Sequence, residues 1–179
     1  MRRFPWYLLL FVWGALFVWF TPALGRTAQV LSLASWVLPL LSAGYTHRGA
    51  TLRGALVLAA GVALLFAFAV FHGRASMLPA SEDAWVCGRI AAQGLLAYMA
   101  LFAWCKQWSP RYGVGLALFL DGSLGFIPGW GGLFPRLHLV SLLSSKSVHF
   151  ALASYSGAAL WAMALGYGAL GYWRRPQKS

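Results

Sequence analysis

Acidic side chains are almost missing from this chain: Glu82, Asp83 and Asp121 are the only three in 179 residues, against 14 lysines and arginines. Charge of either sign is scarce, at 9% of residues, where a soluble protein carries about 25%. No polar stretch is long enough to form a second domain. An ordinary soluble domain is therefore excluded, and a single integral membrane domain over residues 1–179 is expected.

Cysteine is limited to Cys87 and Cys105. On one helix they stand about 27 Å apart at ~1.5 Å per residue, too far to pair with each other. Neither a CxxC nor a paired-histidine spacing of the structural-zinc kind occurs. A Gly-rich phosphate loop, a Gly-x-Ser-x-Gly elbow and a His-Glu-x-x-His helix are also lacking, as are repeats and low-complexity tracts. No metal or cofactor is expected.

What is present is apolar: 60% of residues are hydrophobic, and ten are tryptophan. Lipid offers no partner for bare backbone amides, so spanning segments must be helices or a closed barrel, and strand-like alternation is absent. Apolar runs of membrane-spanning length predict six helices, over Phe4 to Phe20, Ala28 to Tyr45, Leu52 to His72, Trp85 to Cys105, Tyr112 to Phe126 and Val148 to Trp173. The fold class is an all-α polytopic transmembrane bundle. Gly122, Gly125 and Pro128 weaken the outer half of the fifth helix, so it is expected to unwind or re-enter there. Residues 129 to 147 form the longest connection, partly amphipathic from Leu133 to Leu143.

Lysine and arginine in short loops stay on the cytoplasmic side. With the N-terminus inside, Arg2, Arg3, Arg48, Arg53, Lys106, Arg111, Arg174, Arg175 and Lys178 are cytoplasmic, against Arg26, Arg74, Arg89, Arg136 and Lys146 outside. Both termini are therefore expected in the cytoplasm, with a multi-pass placement in a cell inner membrane. Arg2 and Arg3, an apolar run and Ala23-Leu24-Gly25 imitate a cleaved signal peptide, but the run is long and aromatic and suits a retained anchor. The basic residues are scattered at helix ends, which points to membrane lipids as partners and away from nucleic acid.

This topology gathers Cys87, Arg89, Arg136, His138, Lys146 and His149 at the outer boundary, with His72, Glu82 and Asp83 in the preceding outer connection. Cys87 is expected in the first turn of its helix, where the positive end of the macrodipole favours a thiolate. A nearby histidine for proton transfer and Arg136 for an oxyanion would complete a nucleophilic acyl-transfer site. Structural alternatives stand beside each residue. Cys87 also suits a small buried apolar position, Arg136 a headgroup phosphate contact, and His149 a hydrogen-bonded interfacial position. Asp121 is the one acid expected deep in the bilayer, near the middle of the fifth helix, bonded to Ser123, Gln93 or unwound backbone. Glycines 166, 168 and 171 with alanines 158, 162 and 169 give the last helix a small-residue face for close helix packing.

Val86-Cys87-Gly88-Arg89-Ile90 at a helix start, Pro135-Arg136-Leu137-His138-Leu139 in an apolar stretch and His149 through Gly157 opening the last helix resemble, in that order, the motifs of the exosortase/archaeosortase family of membrane transpeptidases. The resemblance covers residues 80 to 173. A Ser that the family usually has between Cys and Gly, and an Asn shortly before the Arg, are absent here. The resemblance implies Cys87 as nucleophile, Arg136 as substrate or oxyanion stabiliser and His149 as proton-transfer partner, acting on C-terminal sorting tails of secreted proteins. Two other readings remain: a non-enzymatic small subunit or assembly factor packed against other membrane subunits, and a small transporter using Asp121.

Overall fold

The computed structural model describes residue 12 and residues 33–47, 51–72, 80–125, 127, 129–144 and 150–173. Its elements are a π-helical turn, Leu33–Val37, running into α1, Leu38–His47; α2, Leu52–His72; α3, Ala80–Trp108; α4, Gly113–Leu124; a 3-10 turn, Gly131–Leu133; α5, Pro135–Ser144; and α6, Phe150–Trp173. The fold is all-α, with no strand among the described residues. Among the described residues two helices, over Arg53–Phe71 and Ala84–Trp108, are long and apolar enough to cross a membrane. Apart from Val12, the expected helix over Phe4 to Phe20 lies outside the described residues.

The central element is α3, which touches every other α-helix. Ala91, Leu95, Ala97, Tyr98 and Phe102 along it are fully buried. Small residues let its neighbours come close. A Cβ added to Gly88 would lie 2.7 Å from the Ala63 carbonyl oxygen of α2, so the two backbones touch there. The outward side of α2 is as apolar as its inward side: Val57 and Leu64 are more than two-thirds exposed while Val62 and Phe66 are fully buried. A helix that is hydrophobic all round suits a lipid surround rather than water.

Contacts along α3 fix the helix directions. Ser42 Oγ donates to the Leu95 carbonyl (3.4 Å) and Lys106 Nζ to the Thr46 carbonyl (3.1 Å), so α1 runs parallel to α3. Tyr167 stacks on Trp104 at 5.2 Å, and Gln107 Nε2 donates to the Gly171 carbonyl, so α6 is parallel as well. The tight turn Ser109–Tyr112 reverses the chain into α4: Gly113 sits against the Cys105 carbonyl, and Asp121 reaches back to Tyr98.

Three expectations change. The α3 helix starts at Ala80 rather than Trp85, because Ser81, Glu82 and Asp83 suit a helix N-terminus, where acids meet the positive end of the dipole. Cys87 is therefore two turns inside, not in the first turn. The helix expected over Tyr112 to Phe126 is only the 12 residues of α4, about 18 Å against a hydrocarbon core of ~30 Å, and Asp121 is in its last turn rather than its middle. The long connection contains a second short helix, α5, whose Leu139 and Leu143 are buried.

Candidate functional site

The glycines between α4 and α5 shape the junction. Gly129 has φ +88°, a left-handed conformation that disfavours side chains. Gly131 comes so near the Gly125 carbonyl that a Cβ would be 2.7 Å from it. Phe134 is extended at φ −117°, ψ 140°, as a residue before proline prefers, and Pro135 opens α5, where its lack of an N–H costs nothing. The first backbone donor of α5 is thus Arg136 N–H. Phe134 has no side-chain oxygen to cap it, and Asp121 Oδ1 accepts it at 3.3 Å from another helix.

The same carboxylate is the centre of a buried cluster. Arg136 Nε donates to Asp121 Oδ2 at 3.1 Å and Tyr98 OH to the same oxygen at 2.9 Å. Arg136 Nη2 continues to the Ser35 carbonyl at 3.1 Å. Asp121 is 0% exposed and Arg136 18%, so the carboxylate is out of bulk water and depends on the guanidinium beside it. Of the partners expected for Asp121, Ser123 is otherwise engaged, donating to the Phe119 carbonyl one turn back at 2.7 Å. Tyr98 and Arg136 take the role instead. Sequence reasoning missed Tyr98; the available signal was that a tyrosine deep in an apolar helix needs a partner for its hydroxyl.

His138, two residues on from Arg136, faces a neutral chain. Its Nε2 is 3.0 Å from the Gly132 carbonyl, an acceptor only, so Nε2 carries the proton. In the neutral ring Nδ1 then accepts from Ser156 Oγ at 3.4 Å, and Ser141 Oγ lies 3.0 Å from Ser156 Oγ. His138 and Ser156 are both buried.

Cys87 is 6% exposed in the interior of the bundle. His149 lies outside the described residues. Helix register nevertheless relates Cys87 and Arg136 to the start of α6. Seven residues back from the Ser42–Leu95 contact, α1 and its π turn reach Ser35 while α3 reaches Gly88, about 10 Å along each. The guanidinium held by the Ser35 carbonyl also shares Asp121 Oδ2 with the Tyr98 hydroxyl, so it lies between the levels of Gly88 and Tyr98 on α3. Counting equally far back from the Tyr167–Trp104 stack brings α6 to its first residue, Phe150, and α3 to Cys87.

Among the described residues no group of three or more His, Cys, Asp or Glu is placed to hold a metal ion. No protein family, curated protein or solved structure matches this chain.

Proposed function

We propose that this is a multi-pass membrane protein of six helices, with both termini in the cytoplasm of a cell with an inner membrane, that performs cysteine-based acyl transfer on C-terminal sorting tails of secreted proteins at the outer face. The observation that carries the reading is that the start of α6, next to which His149 falls in sequence, is level with Cys87 on α3, with the Arg136 guanidinium held further along α3 between Gly88 and Tyr98. The parallel run of α1, α3 and α6, with α4 reversed, is the order that alternate crossing of a membrane requires.

In this reading the Cys87 thiolate attacks a backbone carbonyl carbon of the tail, and Arg136 stabilises the oxyanion. Collapse of the tetrahedral intermediate breaks the C–N bond, and His149 passes its proton to the departing amine. The resulting thioester is then opened by an incoming amine, or by water, which gives its proton to His149 and restores the thiol. Asp121 and Tyr98 hold Arg136 in place by its Nε edge.

A non-enzymatic subunit is favoured by two specific observations: Arg136 is already bonded to Asp121 and Ser35, and Cys87 is buried. The transporter reading gains nothing from Asp121, whose carboxylate is occupied by Arg136 and Tyr98.

Labelling with a small thiol reagent across a pH series, in a Cys105→Ser background, separates the first two readings. Acyl transfer predicts that Cys87 reacts well below the ordinary thiol pKa of ~8.5, and that Arg136→Lys or His149→Ala slows it. Ordinary pH dependence, unchanged by either substitution, would sink the catalytic reading and leave the subunit.

A further inference from the structure

The cleft between α2 and α3 is a second feature of the half of α3 that holds Cys87. It measures about 480 Å³ and exposes only apolar atoms between Ala60, Ala63 and Ala67 on α2 and Gly88, Arg89 and Ala92 on α3. The cleft exists because Gly88 draws the two backbones together while alanines on either side leave the space of missing side chains. Arg89 is exposed and has no carboxylate partner among the described residues. Glu82 and Asp83, the nearest acids in sequence, lie about two turns back toward the start of α3.

An apolar trough with one cation at its edge matches a ligand with an apolar chain and an anionic head. Arg89 is five residues inside the apolar stretch that begins at Ala84, about 7 Å along the helix. A long side chain covers that distance by running its methylenes along apolar surface and placing the guanidinium at headgroup level. Trp85, 74% exposed on the same rim, is the residue type that settles at that level. A guanidinium pairs with a phosphate through two parallel hydrogen bonds. We propose that this cleft seats one anionic phospholipid, an acyl chain against the alanines and the phosphate on Arg89. The site rests on the membrane reading and is independent of any thiol chemistry.

The test is native mass spectrometry of the full chain, purified in detergent and delipidated, with dioleoylphosphatidylglycerol or dioleoylphosphatidylcholine added back. One bound phosphatidylglycerol is expected, retained about fivefold better than phosphatidylcholine, the factor that ~1 kcal/mol from one basic residue near an anionic headgroup corresponds to. Arg89→Gln should abolish the preference. Ala60→Phe, at an exposed position where a larger ring fills the cleft without parting the helices, should reduce retention of both lipids. Equal retention of the two lipids, no retention of either, an unchanged preference in Arg89→Gln, or wild-type retention in Ala60→Phe would each overturn the proposal. Sedimentation of the unsolubilised protein with membranes tells a failed site from a failed membrane reading: the protein still sediments if only the site is wrong.

Discussion

Arg136 and His138 are two residues apart on α5 and meet opposite surroundings. Arg136 enters a cluster built on charge, with Asp121 and Tyr98 on two other helices. His138 enters a cluster of neutral groups, Gly132, Ser156 and Ser141. His138 is buried and Arg136 largely so, and both tie α5 to the bundle, yet they differ in what a single loss leaves behind. Removing one member of the charged cluster strands a charge away from water, whereas removing a member of the neutral one strands at most a weak donor or acceptor. The steep side of α5 is therefore the side facing α4.

That contrast is open to measurement by thermal unfolding in detergent. Asp121→Ala should show the largest effect, a destabilisation of about 3–5 kcal/mol, because it leaves the Arg136 guanidinium buried without its counter-charge. Tyr98→Phe should come next, at about 1–3 kcal/mol, since the carboxylate loses one donor but keeps its arginine. Ser156→Ala should cost about 1 kcal/mol, the net value of one neutral hydrogen bond. If Ser156→Ala matched Asp121→Ala, the distinction between the two sides of α5 would fail. A smaller effect than that of Asp121→Ala is expected from the triple replacement Asp121→Leu, Arg136→Met and Tyr98→Phe, about 1 kcal/mol, because the ion pair goes together with the hydroxyl it satisfies and only the Arg136 N–H loses its acceptor. It also sharpens the comparison with function, because most of the stability is kept while any acceleration of Cys87 labelling by Arg136 is lost.

Much of the helical layout was legible in the amino-acid order. The runs Leu52 to His72 and Val148 to Trp173 agree with α2 and α6 to within two residues, because unbroken apolar sequence flanked by charge or glycine leaves little freedom. The start of α3 was less legible, since Pro-Ala-Ser-Glu-Asp reads equally as a loop and as a helix opening. The end of the fifth segment at α4 was partly legible, since the glycines and Pro128 marked a weak point, while α5 showed only as an amphipathic stretch from Leu133 to Leu143 in the connection. What Arg136 does there was not, because its partners sit 15 and 101 residues away in sequence and only the fold brings them together. The same limit applies to Tyr98, for which an apolar context states the need for a partner without naming it.

The shortness of α4 has a mechanical consequence. Its carbonyl end and the amide end of α5 meet at one carboxylate, which accepts from α5 by Arg136 N–H and Nε and from α3 by Tyr98 OH. The junction is thus a pinned joint rather than a loose loop. To swing away from the bundle, α5 must break its two bonds to Asp121 or pull α4 with it, and Tyr98 carries the pull to the central helix.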